Sequence, residues 1–478
     1  MKVKNGRDEC QIFTPRDTVN YLLDQVGYVA NLKGKKILEN ACGDGCILNV
    51  VVDRYIKDSI KNNVSLQNIK LGLEEDIFGI EIEAHHYATC LKNLNQTATK
   101  YEIHNVQWNL FCEDALRKTF DIKFDYVVGN PPYIRYKYLN KTDRLYIKEK
   151  FTVCQKGKFD YCYAFIEMSL ISLNDSGKLA YLIPNSIFKN VFAQNLREFI
   201  KNSLVEVHDY TTKKIFDVIT SSAIIVCDKA KNRKMIKYID VANENKSYSI
   251  HKTKLTGKWI FENKNAENLN KKVKFSDYFH ASVSIATLFN DAFVVTNYSD
   301  NGKYISTPDG YNIEKKILRE TASPRSLSSG IKTKIIFPYF YKDGKLNRYD
   351  ENDFLKYFPK ASKYLNSNKN KLDERDSDKS SKWFEYGRSQ ALSHLNQEKL
   401  LTSTVVTKNV KIYTLTKECI PYSGIYITSK GIKPLDYAKK ILESEDFYSY
   451  VQKIGINASG SSLRVTSKDI NNYDFLEK

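Results

Sequence analysis

Lys36-Ile37-Leu38-Glu39-Asn40-Ala41-Cys42-Gly43-Asp44-Gly45 reads as an apolar run closed by an acid, then a turn with two glycines, and the amphipathic stretch 47–60 follows. A short apolar run that ends in a glycine turn and opens a helical pattern is half of a βαβ unit. Gly43 and Gly45 allow a ligand close to the backbone, with a helix N-terminus beneath it. The spacing is not G-x-G-x-x-G, which disfavours a dinucleotide. Glu39 at the strand end suits a cofactor with a positive amino group instead of a pyrophosphate.

The same rhythm continues outward. Apolar runs at 36–39, 77–82, 106–112, 124–128, 178–183, 205–210 and 221–227 alternate with helical patterns at 47–60, 84–95, 161–173 and 191–201. This predicts a Rossmann-like α/β sheet of seven strands, mostly parallel, with Asn174-Asp175-Ser176-Gly177 as a turn closing the third helix. Only the last two strands lack a helix between them, so they are expected as an antiparallel pair at one end. Near residue 235 the alternation fades into the charged run KAKNRKMIK, which places a boundary between a domain at 1–235 and a second at 236–478. The segment 367–382 (SNKNKLDERDSDKSSK) reads as a solvated loop.

The chain of 478 residues is 42% hydrophobic and carries a formal charge of +18, with 33 Tyr and 24 Phe. Charge and aromatic faces fit a nucleic acid better than a membrane. An A/T-rich coding sequence would also raise Lys, Asn, Ile and Tyr, so charge supports this reading without deciding it. Nine Cys without a C-x-x-C pair, and no secretory signal in MKVKNGRDEC, point to a reduced cytoplasmic setting. No run of apolar residues is long enough to span a membrane, and the seven His form no zinc-type cluster, so no metal is expected.

The most specific motif is Asn130-Pro131-Pro132-Tyr133, directly after Phe124-Asp125-Tyr126-Val127-Val128-Gly129. At the carboxyl end of a parallel strand it faces the crevice where open α/β sheets bind ligands. The amino nitrogen of adenine is a poor nucleophile because its lone pair is delocalised into the ring. Two acceptors that hold its hydrogens push it toward a tetrahedral shape, and the Asn130 side-chain carbonyl and the Pro131 main-chain carbonyl are suited to that task. The two prolines stiffen the turn, and Tyr133 can stack on the base. Glu81 ends the second strand where nucleoside-binding folds place a ribose acceptor, with Glu83 as its rival. Asp114, or its neighbour Glu113, follows the third strand and could accept from an adenine amino group.

In this order the motifs resemble the gamma class of N6-adenine DNA methyltransferases, particularly the type II modification enzymes typified by the TaqI methyltransferase, over residues 11–229. The resemblance implies S-adenosylmethionine as cofactor. It assigns Phe13, Thr14 and Pro15 to its methionine end, Glu39, Ala41 and Gly43 to the cofactor loop, and Glu81 to the ribose. It assigns Asp114 to the cofactor's adenine, Phe165 to packing on that adenine, and Asn130 to Tyr133 to catalysis. Phe216 falls where the family carries an aromatic that sandwiches the flipped base opposite Tyr133. Asn40 departs from the Pro of many relatives.

The second domain resembles, more faintly, the family's target-recognition domain, expected as mixed α+β. Trp383, Arg388 and Gln390 are its candidate DNA contacts, with core packing as the competing role for Trp383 and Phe384. The implied partners are double-stranded DNA and a restriction endonuclease encoded separately; a monomer is expected. Base flipping followed by direct in-line transfer needs no covalent enzyme intermediate, and the absence of a Pro-Cys dipeptide agrees, since cytosine C5 methyltransferases use such a cysteine. The motif also occurs in enzymes that methylate a release-factor glutamine, and related Asn-Pro-Pro motifs serve ribosomal RNA methyltransferases, but those need no long downstream recognition domain. A catalytically dead specificity subunit and a fused restriction enzyme are the remaining alternatives.

Overall fold

The computed structural model describes residues 14–210, 222–241, 246–261, 272–459 and 462–477. The chain forms two compact units, Met1–Ala266 and Glu267–Lys478.

Among its described residues the first unit is built on nine strands: β1 (Ile37–Glu39), β2 (Ile77–Ile80), β3 (Asn109–Phe111), β4 (Phe124–Gly129), β5 (Leu173–Pro184), β6 (Leu204–Asp209), β7 (Ser222–Asp228), β8 (Met235–Asp240) and β9 (Lys246–His251). Their order in the sheet is β3-β2-β1-β4-β5-β7-β6-β8-β9. The first five are parallel, and β7 runs antiparallel between β5 and β6. All seven expected strands are present. The antiparallel β6/β7 pair is not at an end, however, because β8 pairs parallel with β6 and β9 antiparallel with β8.

The unit therefore runs past the expected boundary at 235 to residue 266. Ile236 and Tyr238 alternate with the exposed Met235 and Lys237, and they join the same core as Trp259. That period-two signal sits directly behind the charges of KAKNRK, which hid it. The expected turn 174–177 instead lies within β5, where the pairing with β4 shifts register between Phe124 and Tyr126 and Asn174 Oδ1 accepts from the Ser176 N–H.

Helices cover both faces. Strand residues alternate between two cores: Leu38, Val127, Tyr181 and Ile225 on one side, Ile37, Val128, Leu182 and Ile224 on the other. Against the second face pack α1 (Arg16–Val26), α2 (Cys46–Lys61), α3 (Leu66–Asp76) and α4 (Ala84–Thr99). The first face is covered by the segment holding α5 (Lys141–Lys150), by α6 (Cys162–Ser172) and by α7 (Gln194–Ile200). Val19, Leu22, Leu23 and Val26 put one stripe of α1 in the core, each contributing roughly 1.5–3 kcal/mol of burial. Gly27, at φ 78°, ends that helix in a left-handed cap.

The second unit is mixed α+β. One antiparallel sheet orders Phe279–Val283, Ile425–Ser429, Lys399–Thr402 and Ile412–Leu415; another holds Leu318–Ala322 and Thr333–Ile336. Phe293, Phe337, Phe384 and Tyr386 centre its core. The segment 367–382 is not simply solvated: Lys369–Asp373 is helical, Leu372 is buried, and the Arg375 guanidinium donates to the carbonyls of Thr287, Leu372, Trp383 and Glu385. Among the described residues no helix is long and apolar enough to cross a membrane, and no group of His, Cys, Asp and Glu could hold a metal ion.

Candidate functional site

Parallel strands that share a direction deliver their following loops to one edge of the sheet, and here the loops after β1, β2, β3 and β4 line a single crevice. Thr14, Glu39, Ala41, Gly43, Glu81, Asp114, Asn130, Pro131, Pro132, Tyr133 and Phe165 all border it. Pro15 does not; it precedes the first turn of α1. Phe13 and Phe216 lie outside the described residues.

The glycine loop is held from the neighbouring strand. Cys42 N–H donates to Ile80 O at 3.0 Å, and Gly43 N–H donates to Glu81 Oε2 at 2.9 Å. Glu81 Oε1 accepts from Glu83 N–H at 2.9 Å, so the buried Glu81 is fixed by two backbone donors, whereas Glu83 is half-buried. Each Glu81 oxygen keeps a second lone pair for a hydroxyl. Gly43 takes φ 53°, and a Cβ placed there would meet nothing within 4 Å, so the loop leaves open room above its backbone.

Glu39 is buried, and burial pushes its carboxyl well above the usual range, with the Leu48 backbone N–H as a partial counterweight. Among the described residues its Oε2 has no hydrogen-bond partner. A buried acid with an unpartnered oxygen on the crevice wall fits a cationic amino group, which would favour its charged form. Asp114 accepts from Leu116 N–H and Arg117 Nε, while Glu113 is half-exposed and held by Lys118. Of that pair, Asp114 is the one fixed by its own backbone.

At the end of β4, Asn130 Nδ2 donates to Thr14 Oγ1 at 3.4 Å, and its Oδ1 accepts from the Tyr133 hydroxyl at 2.7 Å. That hydroxyl also lies 2.8 Å from Leu182 O on β5. Burial raises the Tyr133 phenol well above its ordinary range, with the neighbouring Cys162 thiol and Asp160 carboxyl adding to it, so the phenol stays a neutral donor.

Other lining residues escaped the sequence reading. Tyr161 packs edge-on to Phe165 at 5.3 Å, four residues earlier in the chain. His86 Nδ1 bonds Asp44 Oδ1 across the crevice wall. Asn40, the departure from Pro, donates to Ser169 Oγ at 2.8 Å and accepts from Tyr181 OH at 2.5 Å, all three buried. The i, i+4 spacing of Tyr161 and Phe165 was a usable signal; the other contacts are made by distant segments.

In the second unit, Phe384 stacks on Phe354 at 4.2 Å in the core. Trp383 is half-buried, with Nε1 donating to Glu351 and Lys369 5.5 Å from its ring. Arg388 is paired with Asp378 at 2.8 Å and Asp376 at 3.2 Å, so a phosphate or base must displace these acids to reach it. Gln390 is exposed.

Residues 46–216 match the Eco57I restriction-modification methylase family. The chain is 23% identical over 509 aligned positions to the type II methyltransferase M.BstVI of Geobacillus stearothermophilus, covering 95% of this chain and 87% of that one. It is 25% identical to the type II methyltransferase M.HincII of Haemophilus influenzae, covering 88% and 83%. Among solved structures, the fold is similar to the type IIL restriction-modification enzyme MmeI, solved in complex with DNA, at TM-score 0.60 and 12% identity over 96% of this chain and 65% of that chain.

Proposed function

We propose that this chain, a restriction-modification methyltransferase that uses S-adenosylmethionine, methylates the exocyclic N6 of an adenine turned out of duplex DNA. The observation that carries the reading is the Asn130–Tyr133 loop at the end of β4, in one crevice with the buried Glu39 carboxyl, whose Oε2 has no partner among the described residues, and the doubly anchored Glu81. Glu39 would meet the cofactor's amino group, Glu81 its ribose hydroxyls and Asp114 its adenine, with Phe165 packing on that ring. The cofactor, when bound, supplies an electrophilic methyl on a sulfonium.

The remaining chemistry belongs to the chain. Asn130 Oδ1 has two lone pairs, one directed to Tyr133 and the second suited to an amine hydrogen; the Pro131 carbonyl takes the other hydrogen. Acceptors fixed before substrate arrives cost no reorganisation during transfer. Unstacking the base costs a few kcal/mol, and stacking on Tyr133 returns part of it.

We read the chain as the modification half of a cytoplasmic system, acting as a monomer beside a separately encoded endonuclease. This rests on its spanning most of the length of two curated methyltransferases and on all the acceptor and anchoring groups lying in one unit. Incubation with methyl-labelled S-adenosylmethionine and duplex DNA, followed by nucleoside digestion, should put label on N6-methyladenine. Label on a cytosine, on RNA or on a release factor would exclude the reading.

A further inference from the structure

The chain between Ile134 and Tyr161 leaves the crevice and returns to it. Tyr161 N–H donates to Ile134 O at 2.9 Å, Arg135 and Asp160 form an antiparallel bridge, and both Ile134 and Tyr161 line the crevice. The excursion is a folded body: Leu139, Ile147, Phe151, Val153 and Phe159 bury themselves in the first core. Arg144 closes it internally, donating to the carbonyls of Tyr136 and Lys137 with its guanidinium 4.6 Å from the Tyr136 ring.

Its outside is strongly basic. Residues 135–158 hold eight Lys and Arg against two Asp and Glu, a net +6 that is one third of the chain's +18 in 24 of its 478 residues. A coding bias toward Lys would spread charge evenly and does not account for this concentration. Lys137, Lys141, Lys150, Lys156 and Lys158 are exposed, and none makes an ion pair among the described residues. Tyr138 is also exposed, with Lys137 4.5 Å from its ring. The Lys156–Lys158 turn is seated: Gly157 lies so close to Phe192 that a Cβ there would come within 2.2 Å of the ring.

We infer that this excursion is a DNA-backbone clamp at the mouth of the crevice, its lysines neutralising phosphates that flank the flipped adenine. The inference rests on the proposed function. A base that enters the crevice carries its own phosphates to the rim, where the excursion is pinned at both ends, and fixed cations there hold the distorted strand without reading its sequence.

The test is fluorescence anisotropy with a labelled 30-base-pair duplex of mixed sequence over a salt series, comparing wild type with Lys137→Gln/Lys141→Gln/Lys156→Gln/Lys158→Gln. Each lost phosphate contact lowers the slope of log K against log salt by about 0.9, so the quadruple variant should lose about 3–4 from the slope and bind at least about tenfold more weakly at low salt. Its S-adenosylmethionine affinity, read by calorimetry, should match wild type and reports an intact fold. Lys61→Gln/Lys100→Gln, at the far ends of α2 and α4, should leave the slope unchanged. If the wild type binds the duplex and the quadruple variant keeps its slope, the clamp is overturned while the proposed function stands. A wild type that binds no duplex, or prefers an RNA duplex of the same sequence, overturns both.

Discussion

The Tyr133 hydroxyl donates to Asn130 Oδ1 at 2.7 Å, and Leu182 O lies 2.8 Å from the same hydroxyl. The residue expected to stack on the base thus also fixes the amide expected to accept its hydrogens. Asn130→Ala removes the acceptor and should lower kcat by about 10²–10³ with little change in S-adenosylmethionine affinity. Tyr133→Phe keeps the aromatic face and loses only the bond to Oδ1, so kcat should fall about tenfold. Steady-state kinetics decide: a Tyr133→Phe enzyme as fast as the wild type would show that the ring, and not the amide's anchoring, limits turnover.

Glu39 couples the cofactor site to pH. Burial holds its folded pKa above that of the unfolded chain, so between the two values the folded form keeps an extra proton and stability falls as pH rises. A cationic amino group against Oε2 favours the charged form, so Glu39 gives up that proton on binding, and affinity for S-adenosylmethionine should tighten as pH rises through the same window. Glu39→Gln should abolish this dependence and weaken binding about tenfold or more. Calorimetry in two buffers of different ionisation enthalpy measures the proton released, and a release of zero in the wild type would sink the assignment.

The contacts of Asn40 lead to a prediction about stability. Tyr181 OH and Ser169 Oγ lie 2.6 Å apart, and Ser169 also donates to Phe165 O, tying the cofactor loop to the helix that carries Phe165. Tyr181→Phe strands buried polar atoms and should cost about 1–3 kcal/mol in urea denaturation. Because the groups share one network, Asn40→Ala and Tyr181→Phe combined should cost less than their sum. Strict additivity would mean that Asn40 and Tyr181 act independently.

What could be read from the sequence follows from how each feature is encoded. The Asn130–Tyr133 loop and the Glu39–Gly45 turn are contiguous, so composition and neighbours announced them, and β4 and β5 carry apolar runs long enough to stand out. Strand β8 carried the same period-two signal in Ile236 and Tyr238, but the flanking charges outweighed it. The Asn40–Ser169–Tyr181 network joins residues more than a hundred positions apart and has no local trace. His86 escaped for the same reason: it sits in α4, while its Asp44 partner lies on the distant glycine loop. In the second unit, KWFEYGRSQ mixed core with surface, since Phe384 and Tyr386 are buried while the paired Arg388 and the exposed Gln390 follow directly after them.

Lys399 is fully buried in the second unit, and its ammonium donates to the carbonyls of Thr416, Lys417 and Cys419 at 2.8, 3.2 and 2.9 Å. Three donors on one nitrogen close the turn after Ile412–Leu415, and Lys399→Met leaves three carbonyls without them. The expected cost is about 2–4 kcal/mol of unfolding free energy. Burial lowers the Lys399 pKa to about 8. Between that value and the unfolded one the unfolded chain binds the extra proton, so the penalty for keeping this lysine charged shrinks as pH rises. The wild type should therefore gain on Lys399→Met between pH 8 and about 10, a range in which Cys419, raised by burial to about 11 in the wild type, stays protonated in both chains, since removing the Lys399 charge raises it further. Urea titrations across that range measure the gap; one that stays constant or widens in favour of the variant would show that Lys399 does not titrate inside the fold.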